Sequence, residues 1–64
     1  MNRIREFREA KGLTQTQLGE MVGVSQSTID KYESGHITPP LNRAFKLIFV
    51  LGCEMQDIVD EQGA

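Results

Sequence analysis

The sequence predicts an all-α fold, a bundle of five short helices around one small core. Three observations carry that prediction. Apolar residues recur at three- and four-residue spacing and nowhere alternate with polar ones over the length of a strand. Glycines at 12, 23, 35 and 52 cut the chain into helix-sized pieces. Thr14 and Ser25 stand two residues after the first two of these glycines, where a helix start needs a side-chain acceptor.

The elements follow in order. The first helix carries Ile4 and Phe7, with Ala10 and Lys11 behind them; Asn2 is its expected cap and Gly12 its end. The second carries Leu18, Met21 and Val22. Thr14 and Gln17 have the spacing of a capping box, and Leu13 and Leu18 sit at the two positions of a hydrophobic staple. Gly23 suits the left-handed residue that stops this helix. The third opens on Ser25, repeats the staple with Val24 and Ile29, turns Ile29 and Tyr32 inward and ends at Gly35. A loop follows from His36 to Pro40, where two prolines block helix continuation. The fourth is expected to bury a stripe of Leu41, Ala44, Phe45, Ile48 and Leu51 before Gly52 stops it. A short fifth segment shows Met55, Ile58 and Val59, and residues 61–64 are expected to fray.

Size and composition exclude several function classes. Sixty-four residues make one domain, 1–64, near the lower limit for a core without staples. Cys53 is the one cysteine and His36 the one histidine, so neither an internal disulfide nor a Cys/His zinc cluster can form. No metal, cofactor or small-molecule ligand is implied. No apolar run approaches the ~20 residues of a membrane span, and the charged N-terminus, MNRIREFREAK, lacks a signal-peptide core. A cytoplasmic protein that does not engage membranes is the simplest reading. An enzyme is not expected, since one loop histidine and no phosphate-cradling glycine loop leave nothing to assemble.

Net charge is −2, but its distribution matters more than its sum. Residues 1–50 hold seven Lys/Arg against five Asp/Glu, and residues 51–64 hold four Asp/Glu and no Lys/Arg. The acidity is thus concentrated at the C-terminal end. Such a chain binds DNA weakly as a monomer, because phosphate neutralisation supplies much of the affinity.

Residues 12–35, GLTQTQLGEMVGVSQSTIDKYESG, read as two short helices joined by a tight glycine turn. The second carries small polar side chains on the face that the core does not need. That is the layout of a helix-turn-helix, which presents one helix to the DNA major groove. Gly19 lies mid-helix, where it costs about 1 kcal/mol relative to alanine. The two central helices must therefore cross closely at that point.

The stretch REFREAKGLTQTQLGEMVGVSQSTIDKYESG, then Pro39, Leu51–Gly52 and Ile58, resembles the Cro/phage-repressor-type helix-turn-helix family, also called the xenobiotic-response-element (XRE) type. The resemblance spans roughly Ile4 to Val59. It implies a five-helix, lambda-repressor-like bundle and a DNA-binding transcriptional regulator, typically a repressor that works as a homodimer on a palindromic operator. The recognition helix then corresponds to Gln26–Ser34. Gln26 at its tip can pair with adenine, while Ser27, Thr28 and Lys31 can reach base edges or phosphates. Thr14 and Gln15, at the start of the preceding helix, fall at the family's backbone contact, where free N–H groups favour a phosphate. Ser34, Thr38 and Arg43 are further backbone candidates, with Asn42 beside them; His36 is read as an exposed loop histidine. Arg8 and Glu33 correspond to a partly buried structural ion pair.

Two departures stand out. Asp30 flanks the recognition face, where it can filter sequences or lean on Lys31 or Arg43. Phe49 is apolar off the core stripe and, with Val50, Cys53 and Met55, suggests an exposed apolar patch. Phe49, Cys53 and Met55, near the junction of the fourth and fifth helices, are the candidate dimer contacts. One alternative from another class remains open, a protein-interaction module of the same fold such as an antitoxin or a co-activator bridge.

Overall fold

A computed structural model describes residues 2–59 of the chain. The expected fraying of 61–64 lies outside them. Five helices follow one another: α1 (Ile4–Ala10), α2 (Gln15–Val22), α3 (Gln26–Ser34), α4 (Leu41–Leu51) and α5 (Met55–Ile58). The all-α, lambda-repressor-like architecture read from the sequence is the one observed.

The helix ends show why the chain breaks where it does. Thr14 and Gln17 close the capping box: the Gln17 N–H donates to Thr14 Oγ1 at 3.0 Å, and the Thr14 N–H donates to Gln17 Oε1 at 2.9 Å. Ser25 Oγ accepts the Thr28 N–H at 3.2 Å. Gly23, with φ +83°, turns the chain from α2 into α3 in a conformation that side chains other than glycine's rarely adopt. Asn2 departs from expectation by one position. Arg3 is the capping residue of α1, and Asn2 acts from just outside it. Its Oδ1 accepts the Ile4 N–H at 3.1 Å, and its Nδ2 donates to the Tyr32 carbonyl at 2.7 Å, tying the start of α1 to α3.

The core comprises Ile4, Leu18, Val22, Ile29, Tyr32, Ala44, Leu47, Leu51, Cys53 and Ile58. Leu13 and Val24, the outer halves of the two staples, pack against it. α2 packs on α3 and on α4, α5 closes against α4, and α1 leans on α3.

α4 corrects the sequence reading. Its buried stripe is Ala44, Leu47 and Leu51, with Ile48 half-buried. Leu41 and Phe45, expected inside, are 64% and 56% exposed. The helix is apolar almost all round, so three- and four-residue spacing admits two stripes, and the contacts of α4 with α2 and α5 select between them.

Cys53 is a second correction. It is buried in the core and does not belong to an exposed patch. Burial, helped by the nearby Asp57 carboxylate, pushes its thiol pKa up, away from the reactive thiolate. Met55 is half-buried against the core. Of the expected patch, Phe49 and Val50 do line exposed apolar surface, in an open groove of about 480 Å³ completed by Met21, Phe45 and Lys46.

Candidate nucleic-acid interface

α3 is presented by the fold. Ile29 and Tyr32 anchor it in the core, while Gln26, Ser27, Asp30, Lys31 and Ser34 are exposed. On a 3.6-residue turn these five share the outward face. Ser27 and Ser34 lie along its middle, Lys31 on one edge, and Gln26 with Asp30 on the other.

Beneath the second edge lies a directed hydrogen-bond network. Gln26 Nε2 donates to Gln15 Oε1. Gln15 Nε2 in turn donates to Glu33 Oε1 at 3.0 Å and to Asp30 Oδ1 at 3.3 Å. The Glu33 side chain is fully buried and carries the expected ion pair. Arg8 Nε donates to its Oε2 and Arg8 Nη2 to its Oε1 at 3.3 Å. Arg5 Nε adds a bond to Oε1 at 3.2 Å. Arg8 Nη1 also donates to the Leu13 carbonyl at 2.8 Å, so one guanidinium joins α1, the approach to α2, and α3. Burial opposes ionisation of Glu33, but the hydrogen bonds from Arg8, Gln15 and Arg5 together outweigh it and hold the carboxyl below its usual range.

The other candidates fall as follows. Thr28 is half-buried, and its Oγ1 lies 2.9 Å from Ser25 Oγ, so its hydroxyl belongs partly to the cap. Ser27 Oγ lies 3.2 Å from the same atom. Ser34 Oγ donates to the Lys31 carbonyl and sits 3.1 Å from His36 Nδ1. Thr38 is exposed in the loop, as is His36. The Arg43 guanidinium reaches the turn between α2 and α3, about a van der Waals contact from where a side chain on Gly23 would begin. Thr14 and Gln15 stand at the start of α2, and both Nε2 hydrogens of Gln15 have protein acceptors. A phosphate there would meet backbone N–H groups.

Sequence reasoning missed three parts of this arrangement. Arg5 is a second cation on Glu33, and its three-residue spacing from Arg8 signals a shared face of α1. Asp30 leans on Gln15, and its recorded hydrogen bond goes neither to Lys31 nor to Arg43. No spacing signal announces the Gln15–Gln26 pair, because the two residues come from different helices across a turn.

Comparison with known proteins agrees with this geometry. The sequence profile of the helix-turn-helix family matches residues 4–58. An uncharacterized HTH-type transcriptional regulator of Methanothermobacter thermautotrophicus is 45% identical over 64 residues, covering 95% of this chain and 93% of the relative. The regulator YgzD of Bacillus subtilis, also uncharacterized, is 35% identical over 57 residues, covering 89% and 86%. The crystal structure of the P22 c2 repressor protein in complex with synthetic operator 9T superposes with a TM-score of 0.84 at 31% identity, covering 91% of this chain and 88% of that one. Among the described residues no helix is long and apolar enough to cross a membrane. With a family profile spanning nearly every described residue and the matching fold around an outward-facing α3, the chain belongs to the XRE-type helix-turn-helix family and is a DNA-binding transcriptional regulator of that type rather than an enzyme.

Proposed function

We propose that the protein is a sequence-specific repressor, acting in the cytoplasm, that binds a palindromic operator as a homodimer with α3 in the major groove. The observation that carries this reading is the outward face of α3. Gln26, Ser27 and Lys31 project from a helix whose other side is fixed in the core and whose tip is braced by Gln15. Gln26 supplies a donor and an acceptor, the pair that adenine's N7 and N6 require. Ser27, with Thr28 beside it, offers hydroxyls to the neighbouring edge, and Lys31 reaches guanine or a phosphate. Thr14, Gln15, Ser34, Thr38 and Arg43 contact the sugar–phosphate backbone on either side. The P22 c2 repressor, bound to operator DNA in its crystal structure, supports the same docking for this chain.

Titration of duplexes from a palindromic library at several salt concentrations tests the proposal. It requires a preferred sequence and an affinity that falls linearly in log–log form with salt. Salt-insensitive binding without sequence preference, together with a co-purifying protein, would instead identify an interaction module. Gln26→Ala is expected to weaken the preferred site by about 1–3 kcal/mol and relax selectivity at one base pair, with an unchanged thermal melt.

Dimerisation is assigned to the outer face of α4. Leu41, Phe45 and Phe49 recur every fourth residue on that helix, and Phe49 is 89% exposed. With a fully exposed aromatic offering about 200 Å², these residues and Met21 hide roughly 400 Å² per copy. Over two copies that is about 800 Å², below the ~1,200 Å² lower end of standard interfaces counted over both partners, so the dimer is weak in solution and is reinforced on DNA. A body of 29 × 21 × 19 Å is small enough for two abutting copies to address half-sites one helical turn apart, ~34 Å. Phe49→Glu should leave the fold intact, give a monomer by sedimentation at all concentrations and reduce operator affinity at least tenfold. A dimer that survives the substitution would move the interface off this face.

A further inference from the structure

The imidazole of His36 is tied to the end of the reading face through one nitrogen, and that tie decides what the other nitrogen can show to DNA. We infer that His36 is a further phosphate contact, made by the protonated ring alone, so that operator binding takes up a proton at this residue. The inference rests on the DNA-reading role proposed for α3.

Ser34 and Thr38 stand two residues to either side of His36, and all three are exposed. Ser34 lies along the middle of the outward face of α3, so the ring that touches it sits at the C-terminal end of that face. The main chain holds it there, because the N–H groups of His36 and Ile37 both donate to the Lys31 carbonyl, at 3.0 and 3.4 Å. A phosphate that reaches Ser34 or Thr38 therefore comes up against the imidazole. The hydrogen bonds also fix the tautomer. A serine hydroxyl has one hydrogen. Ser34 Oγ gives it to the Lys31 carbonyl at 3.2 Å. His36 Nδ1, 3.1 Å from the same oxygen, is then the donor of that second bond.

With Nδ1 as donor, Nε2 carries a lone pair in the neutral ring and an N–H in the cation. A phosphodiester oxygen is negative and only accepts, so neutral Nε2 repels it and protonated Nε2 bonds to it with charge assistance. The other neutral tautomer offers Nε2–H only by drawing the Ser34 hydrogen off the Lys31 carbonyl, and it brings no charge to the phosphate. The charged groups around the ring do not blur this. Lys31 and Glu33 share α3 with Ser34, and Arg5 and Glu9 of α1 line the groove that Ser34 borders. Arg43 of α4 lies at Gly23, by the opposite end of α3. Lysine and arginine lose their charge only above about pH 10, and carboxylates only below about pH 5. His36 is the one histidine of the chain. Operator affinity therefore rises as pH falls through the range in which an imidazole gains its proton, about pH 8 to pH 6.

The test titrates the preferred duplex from the palindromic library against the protein at several pH values and fixed ionic strength. The unaltered protein should bind about fivefold or more tightly at about pH 6 than at about pH 8, if the phosphate holds the charged ring about tenfold better than the neutral one. Calorimetry at neutral pH in two buffers of different ionisation heat should register proton uptake on binding. His36→Gln should lose the uptake and flatten the pH profile, while keeping the affinity of the unaltered protein at about pH 8 within about twofold. His36→Lys, a fixed cation, should bind at about pH 8 as tightly as the unaltered protein does at about pH 6. The terminal amine, which titrates in a nearby range, is present in every variant, so the difference between proteins isolates His36. Thermal melts check that the fold is kept. A pH dependence that survives in His36→Gln, or a sequence-selective unaltered protein with no pH dependence, overturns the inference while leaving the DNA-reading role intact. An unaltered protein that prefers no sequence at any pH removes that role and the inference with it.

Discussion

Gly19→Ala is expected to destabilise the protein by about 2–3 kcal/mol, within the range of overpacking substitutions in close-packed interiors, although alanine is the better helix former. Propensity alone predicts a gain of about 1 kcal/mol. The geometry decides against it. A Cβ at position 19 would lie 2.5 Å from the Val24 carbonyl oxygen and 3.3 Å from the Ser25 carbonyl. These atoms are backbone, in the turn that leads into α3, so no rotamer change relieves the clash. The Gly19 carbonyl also accepts from the N–H groups of Gly23 and Val24, at 2.8 and 2.9 Å, which pins the two segments from the other side. Gly19→Leu is expected to go further and force the central helices apart. Urea denaturation should show a lower midpoint at an unchanged slope for the alanine variant. A raised midpoint would mean that the helices cross less closely than described.

Arg8→Met should cost about 3 kcal/mol, the lower end for stranding one partner of a buried ion pair. Arg5 and Gln15 still hold the Glu33 carboxylate, which keeps the loss from being larger. For 64 residues the total stability is of the order of 3–10 kcal/mol, so the variant is expected to lose a third or more of its stability and to unfold at a clearly lower urea midpoint. The double change Arg8→Met with Glu33→Met should recover much of the loss, because no uncompensated charge remains. The same pair sets an acid limit. Glu33 titrates below its usual range in the fold, so it binds protons less readily there than in the unfolded chain. Its contribution is complete above the unfolded value of about 4.3 and is lost as pH falls through the lower folded value. Midpoints measured from neutral pH down to about pH 3 should show this decline, and it should be smaller in the double variant, where Glu6, lowered by Arg3, still contributes.

Much of the fold was legible because it rests on local signals. Thr14–Gln17, Ser25 and the stop glycines fix helix ends through chemistry within a few residues, and the structure places them where that chemistry requires. α4 was less legible because Leu41, Phe45 and Phe49 are as apolar as Leu47 and Leu51. Which stripe is buried depends on contacts with α2 and α5, which no window on α4 contains. The Arg8–Glu33 pair became visible through family resemblance. The Gln26–Gln15 contact did not, since nothing in the spacing says that residues from two helices meet. Cys53 was misjudged for a related reason: it follows the stop of α4, and the return of the chain into α5 turns it inward.

Arg3 holds the two ends of the described chain together. Its backbone N–H donates to the Asp57 carbonyl at 2.7 Å, and its guanidinium reaches the Asp57 carboxylate at 3.3 Å. Arg3 and Asp57 therefore share one side of the body, and Asn2 places that side by Tyr32, about one and a half turns of α3 or more away from Gln26. A unit with adjoining ends can be spliced into a host polypeptide, or permuted by bridging them, with little strain on its interior. A join made beside Arg3 and Asp57 would lie away from the leading tip of α3, which makes this architecture a portable cassette.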